Sequence, residues 1–139
     1  MSCGFWGDSL TVGLAAVAAS LGCDTSAVVG RNAAQIAAHP LPAKRYRWVV
    51  ISAGSNPMRR TRFGETVTID PTGSLGAMRL SVDAKCVIWI KPAHSAPGKT
   101  VERVAGAFGD KVVSFKAGKD GLHPKSYRAL WRAVRLKLC

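Results

Sequence analysis

Two rhythms of apolar residues alternate along the chain from end to end. Ser2 to Trp6 reads as a short strand, after which Leu10, Leu14, Val17 and Leu21 recur at helical spacing and define a helix with one apolar face. Thr25 to Val29 reads as a second strand, and Asn32 to Ala38 as a short helix that Pro40 stops. Trp48-Val49-Val50-Ile51 is the unbroken apolar run that a strand needs when both of its faces are covered. A helix over Ser74 to Val82 leads into a second such run, Cys86 to Ile90. Val101, Val104, Ala105 and Phe108 share one face of a helix over Thr100 to Phe108, closed by Gly109, and Val112 to Phe115 follows as a fifth strand. From Lys125 the pattern is helical to residue 139, with Tyr127, Leu130, Trp131, Val134 and Leu138 as the buried stripe.

Strands separated by helices require right-handed crossovers, and these produce a parallel sheet covered on both faces. The pattern therefore predicts an α/β fold, a single three-layer α/β/α domain over residues 1–139 with a five-stranded parallel sheet. A chain of 139 residues supports one core and leaves no room for a second. Residues 57–71 are the one long irregular connection, and Thr66 to Ile69 within it can form a small strand or hairpin. Long loops in compact domains often serve as lids or binding loops.

Ligands of an open parallel sheet bind at the carboxyl ends of the strands, where the strand order reverses. With the order 2-1-3-4-5, that crevice lies between the first and third strands. Gly7-Asp8-Ser9-Leu10 follows the first strand, Gly54-Ser55-Asn56 follows the third, and Gly30 lies just past the second at the same edge. Asp120-Gly121-Leu122-His123 stands directly before the last helix. A serine hydroxyl is a poor nucleophile until a base takes its proton, and an imidazole does so best when a carboxylate fixes its tautomer. His123 and Asp120 are the residue types for those tasks. The attack creates an oxyanion, for which the Ser9 and Gly30 N–H groups and the Asn56 amide are candidate donors. Taken singly, each residue also has a plain structural role open to it. Ser9 could cap a helix, Asp120 and His123 could serve a turn and a cap, and Gly30 and Asn56 could shape turns.

Together these blocks resemble the SGNH/GDSL family of serine hydrolases, in family order and from end to end of the chain. The resemblance implies a flavodoxin-like sheet and a carboxylic-ester hydrolase working through an acyl-serine intermediate. It implies Ser9 as nucleophile, His123 as general base, Asp120 as its orienter, and Ser9, Gly30 and Asn56 as the oxyanion hole. Asp8, Arg31 and His94 are further candidates for touching substrate. Pro57 stands where the family usually has Asp, and Gly30 lacks the glycine-rich context common in its block. The short chain implies trimmed loops and an open cleft, suited to a short acyl group such as acetyl on a polysaccharide or peptidoglycan. A thioesterase or lysophospholipase would use the same residues.

Charge adds a preference for the carrier. Twenty Lys and Arg against eight Asp and Glu give +12, which favours an anionic or acetylated polymer through long-range attraction. Arg59, Arg60 and Arg62 crowd the long connection, so an anionic-polymer binding module is a second reading; no nucleic-acid motif is present. Cys3, Cys23, Cys86 and Cys139 show no CxxC pair and no zinc-like spacing with His39, His94 or His123. Neither a metal nor a cofactor is expected. Free or buried thiols and a reducing compartment are the simpler assumption. Leu10 to Leu21 imitates a signal-peptide core but lacks a basic region before it, and no segment approaches the ~20 apolar residues of a membrane span. The expectation is a soluble protein made without a signal, cytoplasmic by default or delivered to a cell envelope, of undetermined oligomeric state.

Overall fold

The computed structural model describes residues 2–56 and 58–139, and of residues 58–60 the backbone alone. Its main sheet contains Cys3–Gly7 (β1), Asp24–Ala27 (β2), Arg45–Ser52 (β3), Asp83–Ile90 (β6) and Lys111–Val113 (β7). Met58–Arg60 (β4) and Thr66–Thr68 (β5) form a separate antiparallel hairpin. The helices are Ser9–Val17 (α1), Ala33–Ala37 (α2), Thr72–Ser81 (α3), Ser95–Phe108 (α4) and Tyr127–Arg135 (α5).

The main sheet runs β2-β1-β3-β6-β7, every pair parallel. Counted within that sheet alone, this is the order 2-1-3-4-5 that places the crevice between the first and third strands, and its all-parallel pairing is what the alternating pattern predicts. Successive side chains of a strand face opposite ways, so the sheet divides its apolar residues between two cores. Phe5, Trp48, Val50, Cys86 and Ile88 pack beneath α1 and α5, against Leu10, Leu14, Leu130, Trp131 and Val134. Trp6, Val49, Ile51, Val87 and Trp89 pack on the other side with Ile36, Leu75, Met78, Val101 and Val104 from α2, α3 and α4. Burying a side chain of this size stabilises by roughly 1.5–3 kcal/mol. α5 carries Leu130, Trp131 and Val134 inward, enough to hold a helix that also carries Arg128, Arg132 and Arg135.

Several boundaries move. Helix α1 ends at Val17, and residues 19–21 form a 3-10 turn closed by Gly22 at φ 64°. Helix α4 starts at Ser95, ahead of the expected Thr100. Pro97 there sits in the first turn, where its missing N–H costs no hydrogen bond. The hairpin expected around Thr66 to Ile69 is present, with Met58 opposite Thr68. Pro57 lies outside the described residues.

The cysteine expectation needs correction. Cys3 and Cys23 form a disulfide, with Cα atoms 4.8 Å apart, and only Cys86 and Cys139 are thiols. The parallel register of β1 and β2 sets Gly4 opposite Asp24, so the residue before each strand partner meets its counterpart. Spacing alone could not show this, because the crossover through α1 decides it. No helix among the described residues is long and apolar enough to cross a membrane.

Candidate active site

Ser9 is positioned by a turn with little steric slack. At Gly7, φ is 152° and a Cβ would lie 1.9 Å from the Ser52 carbonyl oxygen, so only glycine lets β1 leave the sheet beside β3. Asp8 then caps α1, its Oδ1 accepting from the Leu10 N–H at 3.1 Å and from the Ser52 hydroxyl at 2.6 Å. Ser52 Oγ in turn accepts from the Thr11 N–H at 3.1 Å, and the Val12 N–H reaches the Asp8 carbonyl. Of the first-turn donors, the Ser9 N–H is the one that no acceptor among the described residues takes, which leaves it for a ligand. It points from a helix N-terminus, where partial positive charge gathers.

Asp8 is almost wholly buried, and burial pushes its carboxyl up against the opposing hydrogen bonds from Ser52 and Leu10. Its Oδ2 has no hydrogen-bond partner among the described residues, and neither has Ser55 Oγ. Ser55 stands close enough to favour the Asp8 charge but outside hydrogen-bond geometry.

The loop between β7 and α5 brings the other two groups. Ser9 Oγ lies 2.9 Å from His123 Nε2, across 114 positions of sequence. His123 Nδ1 lies 2.5 Å from Asp120 Oδ2, and Asp120 Oδ1 accepts from the Leu122 and His123 N–H groups at 2.9 Å each. The His123 side chain, then those N–H groups, hold the Asp120 carboxyl far below the ordinary carboxylate range. An ionised carboxylate can only accept. The Nδ1–H therefore donates to Asp120, and Nε2 is free to accept from the Ser9 hydroxyl. This chain of bonds can draw the proton from Ser9. The pair is open to solvent, with side chains 37% exposed for His123 and 51% for Asp120.

A cleft of about 180 Å³ opens over Ser9, lined by Asp8, Val29, Gly30, Arg31, Ser55, Asn56, Leu122 and His123. That is below the usual 300–1,000 Å³ of small-molecule pockets. Gly30 has φ 84°, and among the described residues no acceptor takes its N–H. Asn56 Nδ2 donates to the Gly30 carbonyl at 2.6 Å, which ties the turn after β2 to the end of β3 and engages one of the two amide hydrogens. Arg31 is half-buried in this cleft. His94 is elsewhere: it occupies the N-cap of α4, exposed, and does not line the cleft. A larger hollow of about 240 Å³, lined by Trp6, Leu41, Tyr46, Val82 and Asp83 among others, has no histidine to act as a base.

Sequence reasoning missed two supports of the site. Ser52 reads as the last residue of a buried strand, yet its hydroxyl joins Asp8 and Thr11 under Ser9. Tyr127 reads as one of a buried stripe. Its ring packs so tightly on Gly13 that a Cβ there would lie 2.2 Å away, and its hydroxyl donates to the Ser9 carbonyl at 3.4 Å. The signal for that contact is the small residue in α1, whose meaning appears only once α1 and α5 are known to pack. Among the described residues, no three His, Cys, Asp or Glu side chains gather as a metal site would require.

Comparison with known proteins adds no assignment: no family model and no curated sequence matches the chain.

Proposed function

We propose that the protein is a serine esterase of SGNH/GDSL type that removes short acyl groups, acetyl above all, from an anionic polysaccharide or peptidoglycan. The carrying observation is the continuous bond line from Ser9 Oγ through the His123 ring to Asp120. Ser9 Oγ attacks the ester carbonyl while His123 Nε2 takes its proton. The oxyanion faces the Ser9 and Gly30 N–H groups and the remaining amide hydrogen of Asn56. The intermediate collapses, the alcohol leaves with the proton from His123, and water repeats the sequence on the acyl-serine.

Cleft volume supports a short acyl group over the long chains of a lysophospholipid or fatty thioester. The openness of His123 and Asp120 supports a bulky carrier lying across them. Arg31 in the cleft supports anionic character in that carrier, as do Lys119 and Lys125, which line a shallow depression on the other flank of His123. The Cys3–Cys23 disulfide supports an oxidising setting such as a cell envelope.

The test is labelling by a fluorophosphonate probe and turnover of p-nitrophenyl acetate, beside Ser9→Ala and His123→Ala. Labelling at Ser9 and a loss of roughly 10³-fold or more in either variant are expected. An unlabelled Ser9, or full turnover without His123, ends this reading.

A further inference from the structure

The four cysteines fall into two pairs, one bonded and one not. Cys3 of β1 is opposite Trp48 of β3, and Trp48 is opposite Cys86 of β6, so Cys3 and Cys86 enter the same core two strands apart. Cys86 is 5% exposed. Three side chains hold the segment after α5 against this part of the sheet. The Cys86 thiol donates to the Lys137 carbonyl at 3.6 Å, Lys111 Nζ donates to the same oxygen at 2.7 Å, and Arg47 Nε donates to the Cys139 carbonyl at 2.9 Å. This arrangement brings the Cys139 thiol within interacting reach of the Cys86 thiol, while Cys139 itself stays exposed.

We propose that Cys86 and Cys139 are a second disulfide site, closed by exchange with a small-molecule disulfide, which staples the segment after α5 to β6. The exposed Cys139 thiolate attacks one sulfur of the oxidant and expels the other as a thiolate. The Cys86 thiolate then attacks the Cys139 sulfur of the mixed disulfide and expels the second thiol. Two protons and two electrons leave the cysteine pair, and one disulfide molecule becomes two thiols. Burial pushes the Cys86 thiol up, and the Lys111 charge partly opposes that. The closed loop contains Asp120, His123 and α5, so the staple anchors the far end of the helix that follows the His123 loop. This inference does not depend on the chemistry assigned to Ser9.

The protein is equilibrated with mixtures of oxidised and reduced glutathione, then denatured in N-ethylmaleimide and read by intact mass and non-reducing peptide mapping. Under oxidising mixtures, loss of both maleimide sites and a peptide linking Cys86 to Cys139 are expected. The Tm should rise on the order of 10 °C above that of protein with only Cys3–Cys23 closed, as a loop of this length implies. Cys139→Ser should keep one blockable thiol and lose the added rise. Two blockable thiols under the most oxidising mixture, a dimer linked through Cys139, or pairing with Cys3 or Cys23 would overturn the proposal. Should Cys139→Ser fail to fold, the peptide map of the unmodified sequence decides alone.

Discussion

Replacing Asp120 by Asn changes one atom in the proposed proton path and should disable it without unfolding the protein. Asp120 uses both oxygens: Oδ1 accepts the Leu122 and His123 N–H groups, and Oδ2 accepts from His123 Nδ1. An asparagine has one oxygen for these two duties. If that oxygen keeps the backbone bonds, the new amide nitrogen faces Nδ1 and donates to it. The imidazole proton is then forced onto Nε2, which can no longer accept from Ser9. The opposite rotamer restores the tautomer but gives up two backbone bonds, each worth a factor of roughly five in population. Only a few per cent of molecules then carry a usable base. In those, a neutral amide holds the developing imidazolium less well than a carboxylate, a further factor of about ten.

The product is a fall on the order of 10²-fold in kcat. A buried triad loses about 10⁴ on the same change, and the 51% exposure of Asp120 places this protein nearer the lower figure. The assay is kcat and KM for p-nitrophenyl acetate, with thermal melting in parallel. KM should hardly move, and the Tm should stay within a few degrees because the side chain is half in solvent. A loss below tenfold would refute the tautomer argument. A collapse in Tm would refute the claim that Asp120 acts on His123 rather than on the fold.

Gly13→Ala places a methyl inside the Tyr127 ring contact, so overpacking of roughly 1–3 kcal/mol should exceed the ~1 kcal/mol gain in helix propensity. Urea unfolding should show net destabilisation that Tyr127→Ala partly relieves in the double variant; strictly additive effects would disprove the contact. Asp8→Asn keeps the cap acceptor and removes a buried ionisable group. The raised Asp8 pKa means its stabilising effect is complete below the unfolded value of 3.8 and is lost as pH rises through the folded one. Stability of Asp8→Asn should therefore fall less than wild type on going from acid to neutral pH, and parallel profiles would contradict the assigned burial. Cys3→Ser opens a disulfide spanning 20 positions and should cost about 3 kcal/mol in urea unfolding, with a change under 1 kcal/mol telling against the bond.

The legible parts of this chain were those written in local pattern. Trp48 to Ile51 and Cys86 to Ile90 announce strands buried on both faces, and the parallel order follows from their separation by helices. The Ser9, Asn56 and His123 blocks were legible because each lies at the carboxyl edge of a strand or in a loop that reaches it. Relations set by packing between elements were not legible. The Cys3–Cys23 bond depends on the register of β1 and β2, the Gly13 contact on the meeting of α1 and α5, and the Ser52 hydroxyl on where β1 turns away from β3. His94 shows the converse, since a histidine after a central strand looked well placed, yet α4 begins one residue later and carries it away from the cleft.

These packing relations share one consequence for the site. Ser9 is held by a rigid turn, with Gly7 against Ser52 and Asp8 capping α1, whereas His123 comes from a loop whose carboxylate is half in solvent. In the proposed mechanism the nucleophile is therefore held by the turn between β1 and α1, and the base sits on the loop that leads into α5, which reaches α1 through Tyr127 and Gly13. Any perturbation that separates the two helices should reduce the rate strongly, because a shift near 1 Å disrupts a 2.9 Å hydrogen bond. Gly13→Ala is such a perturbation. The ratio of its rate loss to its stability loss, compared with a core truncation such as Met78→Ala on the opposite face, measures whether α5 positions His123 or merely covers the sheet.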